Sequence, residues 1–190
     1  GALGKRSQAA ITKARKAKVD KIKKQQETLA QVRTNLHKEN LNLQAAILKG
    51  DQTVIASSKK TLKELAEKNK KLTDQVNQQA SKALEKATKT ARKESAGIEK
   101  VLRKVTKQDT LTDAEKFKIS KKAESLQLDI HAANKLDPKK AQQLKAELKS
   151  LKDVIKKNNP NLESFVKLGE RNGKFAIDGA VGAENAYKTA

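Results

Sequence analysis

Cysteine, methionine and tryptophan are absent from these 190 residues, proline occurs twice, and phenylalanine and tyrosine together number four. Without cysteine there is no disulfide, no thiolate nucleophile and no zinc site of the Cys type, and the redox compartment stays open. With so few aromatics the chain cannot build a thick core, so burial must come from Leu, Ile, Val and Ala along helix seams, and an elongated molecule is expected. No segment reaches the roughly 18 apolar residues needed to cross a bilayer, and the opening "GALGKRSQ" lacks the apolar stretch of a secretory signal. The chain reads as soluble. Its start at Gly1 and its lack of methionine lead us to expect a cloned fragment or a product of proteolytic maturation.

Catalytic constellations are also missing. His37 and His131 stand far apart with no cysteine to complete a metal site, no nucleophile elbow is present, and "GAVGAENA" is too loose for a phosphate loop. Carboxylate pairs such as Glu64/Glu67 and Asp113/Glu115 sit at helix-surface or capping spacing. We therefore expect no enzyme, no metal and no cofactor.

What the chain has is positive charge. Lys and Arg number 43 against 22 Asp and Glu, a formal net charge of +21. The charge declines along the chain, from +9 over residues 1–50 to +7 over 51–109, +5 over 110–159 and zero over 160–190. Such an excess repels itself and is most easily tolerated beside a polyanion. It is concentrated in "AITKARKAKVDKIKKQQ", residues 10–26, where Lys13, Arg15, Lys16, Lys18, Lys21, Lys23 and Lys24 share one acid, Asp20. An ordinary solvated helix mixes signs so that i,i+4 pairs support it, as Glu64 and Lys68 do; this stretch does not. These seven are the candidate nucleic-acid-binding residues. Lysines outnumber arginines 37 to six, and a lysine is a hydrated point charge that does not read base edges as an arginine fork does. Aromatic platforms for stacking bases are scarce, so phosphate contact without sequence readout is the expected mode.

The organisation follows from periodicity. Lys5 to Lys49 contains neither Gly nor Pro, and Ile22, Leu29, Leu36 and Leu43 recur every seven residues. With those at heptad position d, position a holds Val19, Gln26, Arg33, Asn40 and Ile47, a mixed seam suited to packing on neighbouring helices. Gly50 marks a stop and Asp51 a cap. A second run from Gln52 to about Lys107 is interrupted by "KATKTARKESAG", apolar only through alanine and read as a weak, exposed or kinked helix. Thr112 and Glu115 spell a capping box, and Asp137-Pro138 restarts the chain in N-cap and N1 order. The two helices flanking that restart are expected to form an antiparallel hairpin. After "NNPN" the composition turns neutral, with four of the eight glycines and three of the four aromatics. There we expect a short helix over 162–168, then loops, with Phe165, Phe175 and Tyr187 docking a partner or the helices.

The expected fold is mostly α, an elongated, coiled-coil-like array of long helices with a C-terminal antiparallel hairpin and a short irregular tail. Three segments are expected: long basic helices over 1–109 with a break near 50, a hairpin over 110–159, and a neutral tail over 160–190. The expected function is non-enzymatic: a basic structural protein that binds or packs nucleic acid, DNA above all, without sequence specificity, as a homo-oligomer or in a larger assembly. In general composition, lysine-rich and free of cysteine and methionine, the chain resembles the internal, DNA-associated or ejected proteins of tailed-phage heads, which are matured by proteolysis. The resemblance implies a place inside a virion; a cytoplasmic or nucleoid location is the alternative. Two other readings compete: a helical scaffold or coiled-coil segment of a larger assembly, and a basic amphipathic protein of membrane surfaces, which the lack of Trp disfavours.

Overall fold

The computed structural model describes the backbone of residues 2–188 and the side chains of residues 9–182. All regular structure among them is helical. Helix α1 runs Ala2–Lys49, α2 Gln52–Glu94, α3 Ile98–Thr106, α4 Asp113–Leu136, α5 Pro138–Asn158 and α6 Glu163–Lys188, with a 3-10 turn at Pro160–Leu162. Two compact units share these helices: unit 1 holds residues 1–19 and 82–178, and unit 2 holds residues 20–81 and 179–190.

In unit 2, α1 turns back into α2 at Gly50, whose φ of 72° lies in the left-handed region that a side chain would resist. The Asp51 N–H donates to the Ala46 carbonyl and the Gly50 N–H to that of Ile47, the two bonds of a Schellman motif. Asp51 then caps α2 by accepting from the Val54 N–H at 3.2 Å. Ile22 and Leu29 of α1 pack with Leu72, Val76 and Ala80 of α2. One polar heptad position is used across this seam, where Arg33 donates to Asn69 Oδ1 at 3.1 Å and to Thr73 Oγ1 at 3.4 Å, whereas Asn40 and Ile47 are exposed.

Unit 1 holds the larger core. Ile98, Val101 and Val105 of α3, Ile119, Leu126 and Ile130 of α4, and Leu148, Leu151 and Ile155 of α5 form one buried cluster. Helices α4 and α5 are joined by Asp137 alone, which accepts from the Lys140 N–H with Pro138 at the first helical position. The alanine-only stretch, residues 86–97, is interrupted as expected, but Ala87 and Ala91 within it are not exposed. Helix α2 continues unbroken to Glu94, and Ala87 and Ala91 are buried with Leu84, Leu128, Ala176 and Ile177, because alanine lets neighbouring helices come close. The break falls inside the stretch, at its end, Ser95–Gly97, where Gly97 has a φ of 81°.

The irregular tail is also corrected, since residues 163–188 form one helix, α6. Its glycines mark a close helix crossing. A Cβ on Gly169 would run into the backbone carbonyl of Ser120 in α4, and one on Gly173 would lie 3.0 Å from Gln127 Cβ. The roughly 1 kcal/mol per glycine lost in helix propensity is offset by that close packing.

The capping box at α4 forms as spelled: Glu115 N–H donates to Thr112 Oγ1 at 3.2 Å, and Thr112 N–H to Glu115 Oε1 at 2.9 Å. The Lys104 ammonium lies 2.8 Å from Glu115. Its hydrogen bond first, and the Thr112 backbone bond second, pull the Glu115 carboxyl from the ordinary 4.5 down to about 2. A depressed carboxyl contributes stability above its ordinary pKa and loses that contribution as pH falls from there through its folded value. The Glu115 side-chain carbon resonance is therefore expected to titrate with a midpoint near 2, moving upward in Lys104→Gln. A midpoint near 4.5 in the native chain would contradict the assignment.

Candidate nucleic-acid interface

The basic stretch of residues 10–26 lies on α1. Inward positions recur every three or four residues, at Arg15 and Val19 in unit 1 and at Ile22, Gln26 and Leu29 in unit 2. The lysines fall between them. Lys13, Lys16 and Lys18 are exposed on unit 1, and Lys21, Lys23 and Lys24 are exposed on unit 2. Among the described residues, none of the six is held in an ion pair.

Arg15 is different and leaves the candidate set. Its guanidinium makes an ion pair with Glu124 of α4, whose side chain is fully buried, and donates to the Asn172 carbonyl of α6 at 3.0 Å. Thr12, one turn earlier, donates to Asn172 Oδ1 at 2.8 Å. Lys121, 3 % exposed, stands 3.2 Å from Glu124 and 3.4 Å from Glu94. This buried polar cluster ties the start of α1 to α2, α4 and α6 inside unit 1. The arginine fork suits such a site because it can serve a carboxylate and a carbonyl together.

Elsewhere in unit 1 a few bases are compensated. Lys104 pairs with Glu115, Lys122 with Glu147, Lys152 with Glu170 and Arg92 with Asp129. The lysines of residues 13–24 differ from these few in having no ion pair among the described residues, and from other unpaired lysines in their density along one helix.

A second basic face was missed in the sequence. On α3 and its C-cap, Lys100, Arg103, Lys104 and Lys107 follow i, i+3, i+4, i+7 spacing opposite the buried Ile98, Val101 and Val105, and all four are exposed. Arg103 and Lys107 flank a shallow groove of about 390 Å³ floored by Leu102 and Val154. The spacing is legible in the sequence, but this face carries fewer charges than residues 10–26.

The aromatic docking residues fare differently from one another. Phe165 packs against the main core of unit 1 and so anchors α6 on its own helices. Phe175 is half-buried, and the Tyr187 side chain lies outside the described residues. His37 is exposed on α1, while His131 is half-buried beside the Arg92–Asp129 pair in a groove between α2 and α4. No described helix is long and apolar enough to cross a membrane. No known protein family, no curated protein and no solved structure matches this chain.

Proposed function

We propose that this chain is a non-catalytic structural protein that binds nucleic acid, DNA above all, through its phosphates and without reading sequence. One observation carries the reading: six exposed lysines packed into residues 13–24 of α1, with Asp20 the one acid among them and none of the six in an ion pair among the described residues. Phosphates are the natural counterions for such a row. The exposed basic face of α3 adds to the same surface chemistry. The compositional resemblance to internal phage proteins extends the proposal to packing or ejection with the genome.

The experiment is a salt series. On duplex DNA, log affinity is expected to fall linearly with log salt, by about 0.9 per phosphate neutralised. Lys16, Lys18, Lys23 and Lys24 changed together to Gln keep helix propensity nearly constant. That variant is expected to lose up to roughly three to four units of slope, and equally on unrelated sequences. Arg15→Gln should leave the slope nearly unchanged, because that guanidinium is committed inside unit 1. An unchanged slope in the fourfold variant would make the lysines a solvated face and favour the scaffold reading.

A further inference from the structure

Within unit 2, α1 carries a second stripe that its own hairpin leaves open. Ala30, Thr34, His37, Leu41, Ala45 and Leu48 are spaced by three or four residues, and all are exposed. Leu41 is 51 % exposed and Leu48 89 %. The inward stripe of the same helix, with Leu29, Val32 and Ala46 buried, is a separate face. The open stripe runs over 19 residues, about 28 Å of helix.

This part of the chain is unusual in its charge. Residues 30–48 contain three charged side chains, Arg33, Lys38 and Glu39, in a protein whose composition is 34 % charged. Arg33 is turned toward Asn69 and Thr73 of α2. The stripe itself bears no formal charge at neutral pH, and amides such as Gln31, Asn42 and Gln44 stand beside it.

We infer that this stripe is a self-association seam, covered in solution by the same stripe of a second copy of this chain. Three physical arguments select that occupant. Copies carrying +21 repel one another, so they can approach closely only where charge has been left out. A polyanion or a strongly acidic partner would be met by bases, and here there are almost none. A lipid surface would require a broad apolar face with bulky side chains, whereas this stripe is one residue wide per turn and includes Thr34 and His37. A narrow apolar line at three- and four-residue spacing is the shape that receives another helix. The inference does not rest on nucleic-acid binding, since it concerns a different stretch of α1, residues 30–48 against 13–24, and is tested with protein alone.

Sedimentation of the nucleic-acid-free full chain tests it, at about 0.1 M and about 1 M salt, where the Debye length falls from about 10 Å to about 3 Å. The mass is expected to rise from 20.9 kDa toward twice that value with concentration. The rise should be stronger at high salt, where repulsion between copies is screened. Leu41→Lys with Leu48→Lys is expected to weaken the dimer at least roughly tenfold by placing like charges in the seam. Both positions are exposed, so helicity should be unchanged. As a second measure, Leu41→Cys lies near the middle of the stripe, and the chain has no other cysteine. It should form an interchain disulfide under mild oxidation, whereas Ser57→Cys, exposed on α2, should not. A chain that stays monomeric at both salts would overturn the inference. So would association that disappears at high salt, association that the double lysine variant retains, or equal cross-linking at Ser57.

Discussion

Replacing Glu124 by Gln is expected to destabilise the chain by about 3–5 kcal/mol, the usual cost of removing one partner from a buried ion pair. The size follows from where the carboxylate sits. Its side chain is fully buried, and two cations depend on it: Arg15 from α1 and Lys121 one turn earlier on α4. A neutral amide would leave Lys121, itself 3 % exposed, with Glu94 at 3.4 Å as its one remaining carboxylate. For a chain of this length the melting temperature should fall by roughly 2–4 °C per kcal/mol. Arg15→Met should cost less, because Glu124 keeps its Lys121 partner. A double-mutant cycle between Arg15 and Glu124 should show a coupling of about 0.5–3 kcal/mol. Additive losses would mean that the pair contributes through packing alone.

The second large effect reverses the usual sign of a glycine substitution. At an open helix position, Gly→Ala stabilises by about 1 kcal/mol. At Gly169 the new methyl would meet the Ser120 carbonyl and sit 3.0 Å from Ala123 Cβ, and a backbone group cannot step aside. Gly169→Ala is therefore expected to destabilise by about 1–3 kcal/mol in thermal or denaturant unfolding, and Gly169→Leu by more. Gly182→Ala is the control. Its Cβ would meet the end of the Gln26 side chain, which can rotate away, so that variant should be neutral or slightly more stable. Equal behaviour at the two sites would remove the close α4–α6 crossing from the account.

These residues also show where sequence reading succeeded and where it stopped. Short-range signals were fully legible. Gly50 with Asp51, Thr112 with Glu115, and Asp137 with Pro138 end or start helices as their chemistry dictates, because a cap is satisfied within four residues of chain. The mostly helical class was equally plain, since the three- and four-residue recurrence of apolar side chains needs no partner to be recognised. The lysines of residues 13–24 are exposed because a helix with so thin an apolar line can bury only that line.

What lay outside the sequence depends on which helices meet. The expected loops around Asn172-Gly173 and Gly179 came from glycine's local opposition to a helix; only the closeness of α4 makes Gly169 and Gly173 packing residues within one. Ala87 and Ala91 looked too small to anchor anything until Leu128 came within reach. Arg15 was one cation among seven by composition, and becomes an internal clamp solely because Glu124, more than a hundred residues away, has no water to solvate it. Periodicity and caps are properties of a few consecutive residues and were determined by the sequence alone. The partner of each face, and with it the difference between a buried arginine and the exposed lysines beside it, was decided by the tertiary structure, because desolvation is set by neighbours distant along the chain.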